Sequence, residues 1–204
     1  MRFPTLTAAL AALCLALPAT AQKVQVFGGN GTRAATTMIL FGENLMAGVC
    51  VTHGQPEWKE EYDGMLDKLK GKLLRLGKDW WTTWSANTDV ELNGVMIPAG
   101  EYICGLACDK DGKFTLALLD ASQAMKQKLV PFGPQTWQPT ISVPLELKKG
   151  TAAAVVDKMT MTLKGDEKNP AQGTFTIAWG KHELVAAAKL PAAAGDAKTE
   201  KTGK

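Results

Sequence analysis

The sequence predicts an all-β protein, an antiparallel β sandwich or partly closed barrel with one or two short helices, and three observations predict it. From Trp81 onwards, apolar and polar residues alternate with a period of two along most of the chain. Turn-forming clusters break this alternation at short intervals: Asn93-Gly94, Pro98-Ala99-Gly100, Asp109-Lys110-Asp111-Gly112 and the polar stretch 165–173. Only two segments carry helical spacing, and neither is long.

Taken in order, residues 37–41 and 45–51 read as two early strands. After Pro56, the residues Trp58, Tyr62, Met65, Leu69, Leu73 and Leu76 recur at spacings of four and three, which predicts an amphipathic helix with Pro in its first turn. Gly64 and Gly71 each cost about 1 kcal/mol relative to Ala, so the helix is expected to stop near Lys70. Residues 89–102 hold two short extended segments hinged at Asn93-Gly94, a pair that tolerates the positive φ of a tight hairpin turn. Tyr102, Cys104, Leu106 and Cys108 share a face, and Phe114, Leu116 and Leu118 return after a turn. A shorter helix over 121–129 is capped by Asp120. Ile141, Val143, Leu145 and Leu147 form the next strand, in which Pro144 points to an edge position. Met159, Met161 and Leu163, then Phe175, Ile177 and Trp179, then Leu184, Ala186, Ala188 and Leu190 complete the series. So many short antiparallel strands protect their edges by closing on themselves.

Arg2, an apolar run over 6–17 too short to span a bilayer, and the small residues Ala19-Thr20-Ala21 predict a signal peptide over residues 1–21. Export without a lipid anchor is expected, because Leu13 before Cys14 suits lipoprotein cleavage poorly. The mature chain would begin at Gln22 and reside in the periplasm or outside the cell. Removing 21 residues from 204 leaves 183, which suits one β domain over 22–190. Residues 191–204 contain no large apolar side chain and predict a disordered tail. No later stretch is long and apolar enough to enter a membrane.

The formal charge is +3. Arg2 leaves with the leader, and Lys198, Lys201 and Lys204 outnumber Asp196 and Glu200 by one, so the domain itself stands at about +1. This near-neutral balance lacks the positive footprint that binding nucleic acid requires. Cys50, Cys104 and Cys108 remain after processing. Cys104 and Cys108 lie about 13 Å apart at strand rise, too far to bridge, so any internal disulfide joins Cys50 to one of them. Three buried thiols are the competing expectation.

Residues 71–102 are similar to a pattern found in exported bacterial proteins. Gly71-Lys72-Leu73-Leu74-Arg75 matches Gly-Lys-Val-Trp-Arg, Thr82 follows in place, and Asp89-Val90, Gly94, Pro98-Ala99-Gly100 and Tyr102 match directly. On these residues the chain resembles domain-of-unknown-function family 2911, over roughly residues 24–190. Gln55, Glu60-Glu61, Leu74 and Asp79 stand where that family has Arg, Gly-Arg, Trp and Asn, and Arg75 is retained. The resemblance implies an exported scaffold of unknown function, with the segment before Gly71 largely irregular.

Candidate site residues follow from side-chain chemistry. Arg75, Asp79, Gln55 and Glu61 could converge, with the planar guanidinium presenting a fork to a carboxylate or another anion. The competing expectation is an Arg–carboxylate pair that fixes a loop over the sheet. Trp80 and Trp84 share a face at strand spacing and are expected to be buried, leaving Trp81 opposite as a platform for a sugar or peptide. Nucleophilic hydrolysis is disfavoured: His53 and His182 are the two histidines, and Ser85, Ser122 and Ser142 lie in no Gly-x-Ser-x-Gly elbow. Glu91, Glu101 and Glu146 fall on the solvated sides of their strands, which gives no glycosidase pair. Copper has Cys50, His53, Cys104, Cys108, His182 and eight methionines as potential ligands, but no run with metal-ligand spacing. The sequence therefore predicts an exported, non-enzymatic binding or envelope-associated module without a cofactor, taking an unknown protein or small-molecule ligand at Arg75, Asp79, Gln55 and Trp81. The alternative is a small periplasmic enzyme or copper carrier with its site near Arg75.

Overall fold

The computed structural model describes residues 33–42, 45–149, 154–166, 168–169 and 171–189. The predicted signal peptide, Leu190 and the predicted tail lie outside these residues. The described chain is an antiparallel sheet curled into a nearly closed barrel, the second of the two all-β forms expected.

Its strands are β1 (Arg33–Gly42), β2 (Leu45–Gly54), β3 (Lys72–Arg75), β4 (Thr82–Ala86), β5 (Val90–Leu92), β6 (Val95–Ile97), β7 (Gly100–Cys108), β8 (Phe114–Asp120), β9 (Ile141–Lys149), β10 (Val156–Gly165), β11 (Gln172–Gly180) and β12 (His182–Lys189). Around the barrel the order is β1, β2, β4, β7, β8, β9, β12, β11, β10. β10 then lies alongside β1 without a backbone ladder. The Thr36 hydroxyl donates to the Met161 carbonyl at 2.6 Å across this seam.

Inward residues from most strands form one interior cluster, with Val49, Val51, Trp84, Cys104, Leu116, Leu118, Val143 and Phe175 among its members. The ring of Trp84 meets that of Phe175 edge to face at 6.0 Å. β5 and β6 close this end of the barrel. Asn93 and Gly94, at φ 45° and 81°, make the two-residue turn between them, because only such residues hold positive φ at both centres without strain. Val90, Leu92 and Ile97 are wholly buried there, and β5 pairs with the end of β12 at Ala188 and Lys189.

β7 and β8 are covered on both sides. Trp81, Ile103, Ala117, Leu119, Ala124 and Trp137 form a second cluster on the outer wall, under helix α1 (Ala121–Lys126) and the loop that follows it. The Asp120 carboxylate caps α1 by accepting from the Ser122 and Gln123 amides. The helix ends before the predicted residue 129 because Lys128 turns to φ 52°.

Pro144 sits within an interior strand of the ring rather than on an edge strand. β9 pairs with β8 through Ile141–Leu145 and with β12 only from Glu146 onwards, so Pro144 precedes the point where its second side is engaged. The Asn93 side chain donates to its carbonyl at 2.8 Å instead. A proline is tolerated at such a locally open position.

The amphipathic α-helix expected after Pro56 is corrected. Residues Glu60–Leu69 form a 3-10 helix with no buried residue. In a three-residue turn, positions three apart eclipse, so Tyr62 with Met65 and Leu66 with Leu69 are brought onto one side. Asp63 and Gly64 are poor α-helix formers in its middle.

Candidate functional site

The other end of the same strands, away from β5 and β6, borders a cavity. Leu106 of β7, Phe114 of β8, Leu147 of β9, Met159 of β10, Ile177 and Trp179 of β11, and Leu184 of β12 all face a cavity of about 310 Å³. Phe114, Met159, Ile177 and Leu184 belong to the interior cluster and Leu106, Leu147 and Trp179 pack against it half-buried, so the cavity borders the core directly.

The 3-10 helix lies over this space, contributing Tyr62, Met65, Leu66 and Leu69 to its lining. An aromatic group fastens the helix down. The Trp58 ring stands edge to face on Trp179 at 5.1 Å, on Tyr62 at 5.8 Å and on His182 at 5.8 Å. Gly180, at φ 62°, makes this possible: a Cβ there would fall 2.4 Å from the Trp58 indole. The Trp179 indole N–H donates to the Pro56 carbonyl at 2.9 Å, and the Trp58 and Met159 amides tie the segment to the start of β10. The Asp63 carboxylate of the 3-10 helix is hydrogen-bonded to His182 Nε2 at 2.8 Å and links the helix to the barrel wall. His182 Nδ1 is buried and has no hydrogen-bond partner.

Arg75 also lines the cavity. It is the last residue of β3, which pairs with β7 at Gly105 before the chain loops out and returns as β4 along the same strand. The Thr82 hydroxyl donates to the Leu76 carbonyl at 2.7 Å and closes that loop, with Gly77 and Asp79 both at positive φ. Arg75 Nη1 donates to the Asp79 carbonyl at 3.0 Å and to the Pro131 carbonyl at 3.2 Å, and the guanidinium carbon lies 5.6 Å from the Phe132 ring centre.

The predicted site residues are thus separated. Arg75 and Asp79 do meet, but through the Asp79 backbone, and the exposed Asp79 carboxylate makes no ion pair with the guanidinium. Gln55 donates to the Met159 carbonyl at 3.2 Å and holds the segment before the 3-10 helix to β10. Glu61 is exposed beside Lys59. Trp81 is corrected from surface platform to core: it is 4% exposed and stands edge to face with Trp137 at 6.4 Å. Trp80 is the exposed tryptophan of the three, because residues 77–80 form a bend and strand alternation begins only at Thr82.

The sulfur and imidazole groups do not gather either. Val49 and Val51 point into the barrel, so Cys50 between them faces outward, whereas Cys104 and Cys108 lie in the interior cluster. All three are free, and the wall between Cys50 and the others explains it. Burial pushes the Cys104 thiol up to about 12, which keeps it protonated. His53 is 1% exposed inside β2, its Nδ1 3.2 Å from the Gly54 carbonyl. Among the described residues no three of His, Cys, Asp and Glu converge as a metal site would require.

Trp58, Tyr62 and Trp179 were not among the sequence candidates, and His182 was weighed only as a potential copper ligand or catalytic base. The available signal was Trp179 followed at once by Gly180, a large ring beside a residue without a side chain. No family model, no curated protein and no solved structure matches the chain.

Proposed function

We propose that the protein is an exported, non-enzymatic binding module that holds a small, mainly apolar molecule at the open end of its barrel. The cavity of about 310 Å³ beneath the 3-10 helix carries this reading. Its volume falls in the range of small-molecule sites, roughly 300–1,000 Å³, and its walls are aliphatic and aromatic with few polar groups, the pattern such sites share. The covering helix has no fully buried residue, and Tyr62, Leu66 and Leu69 are only half-buried, so lifting it to admit a ligand breaks partial contacts rather than a sealed core. Export is supported by Arg2, the apolar run over 6–17 and Ala19-Thr20-Ala21.

A neutral naphthylamine dye tests the reading. It is expected to bind saturably, one per chain, and to quench tryptophan emission, whereas Leu184→Trp, which fills the cavity, is expected to abolish binding while the melting temperature is kept. Equal dye binding by the two proteins would overturn the assignment of the cavity.

A further inference from the structure

We infer that the ligand is an amphiphile with a carboxylate head, the head seated on Arg75 and an aliphatic tail filling the cavity. This rests on the reading of the cavity as a binding site and adds the chemistry of what enters it. Arg75 lines a wall otherwise built from Leu74, Leu106, Phe114 and their apolar neighbours. A guanidinium carries five N–H donors and a permanent charge. Among the described residues its hydrogen-bond partners are two neutral carbonyls, both reached from Nη1, and no carboxylate lies within ion-pairing distance. The Phe132 ring near the guanidinium carbon narrows its access to water. A half-buried cation at the rim of an apolar space is stabilised by an anion, and a carboxylate matches the guanidinium fork with two parallel hydrogen bonds.

The opposite polarity is already met. No Asp or Glu is among the described residues that line the cavity, and Asp63 of the cover is bound to His182, so an ammonium head would find no free carboxylate there. Volume sets the length of the tail. At about 30 Å³ for each water-sized group, the space holds on the order of ten carbons.

The full chain is titrated with sodium decanoate, 1-decanol and decyltrimethylammonium, with tryptophan emission as readout. Decanoate is expected to bind at least about tenfold more tightly than 1-decanol, the equivalent of one charge-assisted contact of about 1.4 kcal/mol. In Arg75→Gln, decanoate is expected to fall to the affinity of the alcohol while the alcohol is unchanged. Equal or tighter binding of 1-decanol or of the ammonium by the unaltered protein would overturn the carboxylate inference and leave the cavity reading standing. Saturable binding of none of the three would overturn both. The comparison of heads on the unaltered protein decides the matter even where Arg75→Gln does not fold.

Discussion

His53 shows how a single buried side chain sets a condition on the whole protein. Burial holds its imidazole below the ordinary 6.5, opposed by the hydrogen bond to the Gly54 carbonyl and assisted by the Arg33 cation. The unfolded chain therefore takes up a proton at a pH where the folded chain refuses it. Stability from the neutral ring is complete above pH 6.5 and is lost as the pH falls through the lower folded-state value. Thermal melts over about pH 8 to 5 are expected to show a falling melting temperature, and His53→Gln a flatter profile. Equal slopes would show that other groups carry the acid sensitivity. Arg75 makes a complementary case. It holds the Asp79 and Pro131 carbonyls together, so Arg75→Ala is expected to cost about 1.5–3 kcal/mol of folding stability, and an unchanged denaturation midpoint would refute this structural role. The sequence brought Arg75 and Asp79 together correctly as neighbours but assigned the contact to the wrong atom, since side-chain chemistry says nothing of which carbonyls a loop turns inward.

Elements were legible where their cause is local. The Asn93-Gly94 hairpin, the Asp109 to Gly112 turn and the Asp120 cap follow from backbone preferences of two to four residues, and all three stand. Phase was lost where an element boundary was unseen: alternation extended two residues too far placed Trp80 inside and Trp81 outside. The 3-10 helix was hidden because spacings of three and four serve both helix types, and its partner surface, the mouth of a barrel, draws on six strands, β7 to β12. This element, with none of its residues buried, is expected to exchange its amide hydrogens faster than β7 and β8, which are covered on both faces. Gly180→Ala is expected to displace Trp58 and to quicken exchange over residues 60–69, with little change in the melting temperature. Protection of those amides equal to that of β7 would contradict a loosely held cover.

At the scale of the molecule, the all-β class was readable from period and turns, whereas the cavity was not, because it depends on which strand ends the topology gathers at one level. The intact mass of the exported protein is expected to correspond to a chain beginning at Gln22, and a mass retaining residues 1–21 would contradict the predicted cleavage. The seam between β1 and β10 has a consequence in time. Thr36 and Met161, whose contact bridges it, are 125 positions apart in the chain. A chain emerging from synthesis or from a translocation pore presents β1 long before β10 exists to meet it, and contacts of such separation form late. The first hairpin therefore waits with one flank bare, and the ring is completed only after most of the domain has been delivered.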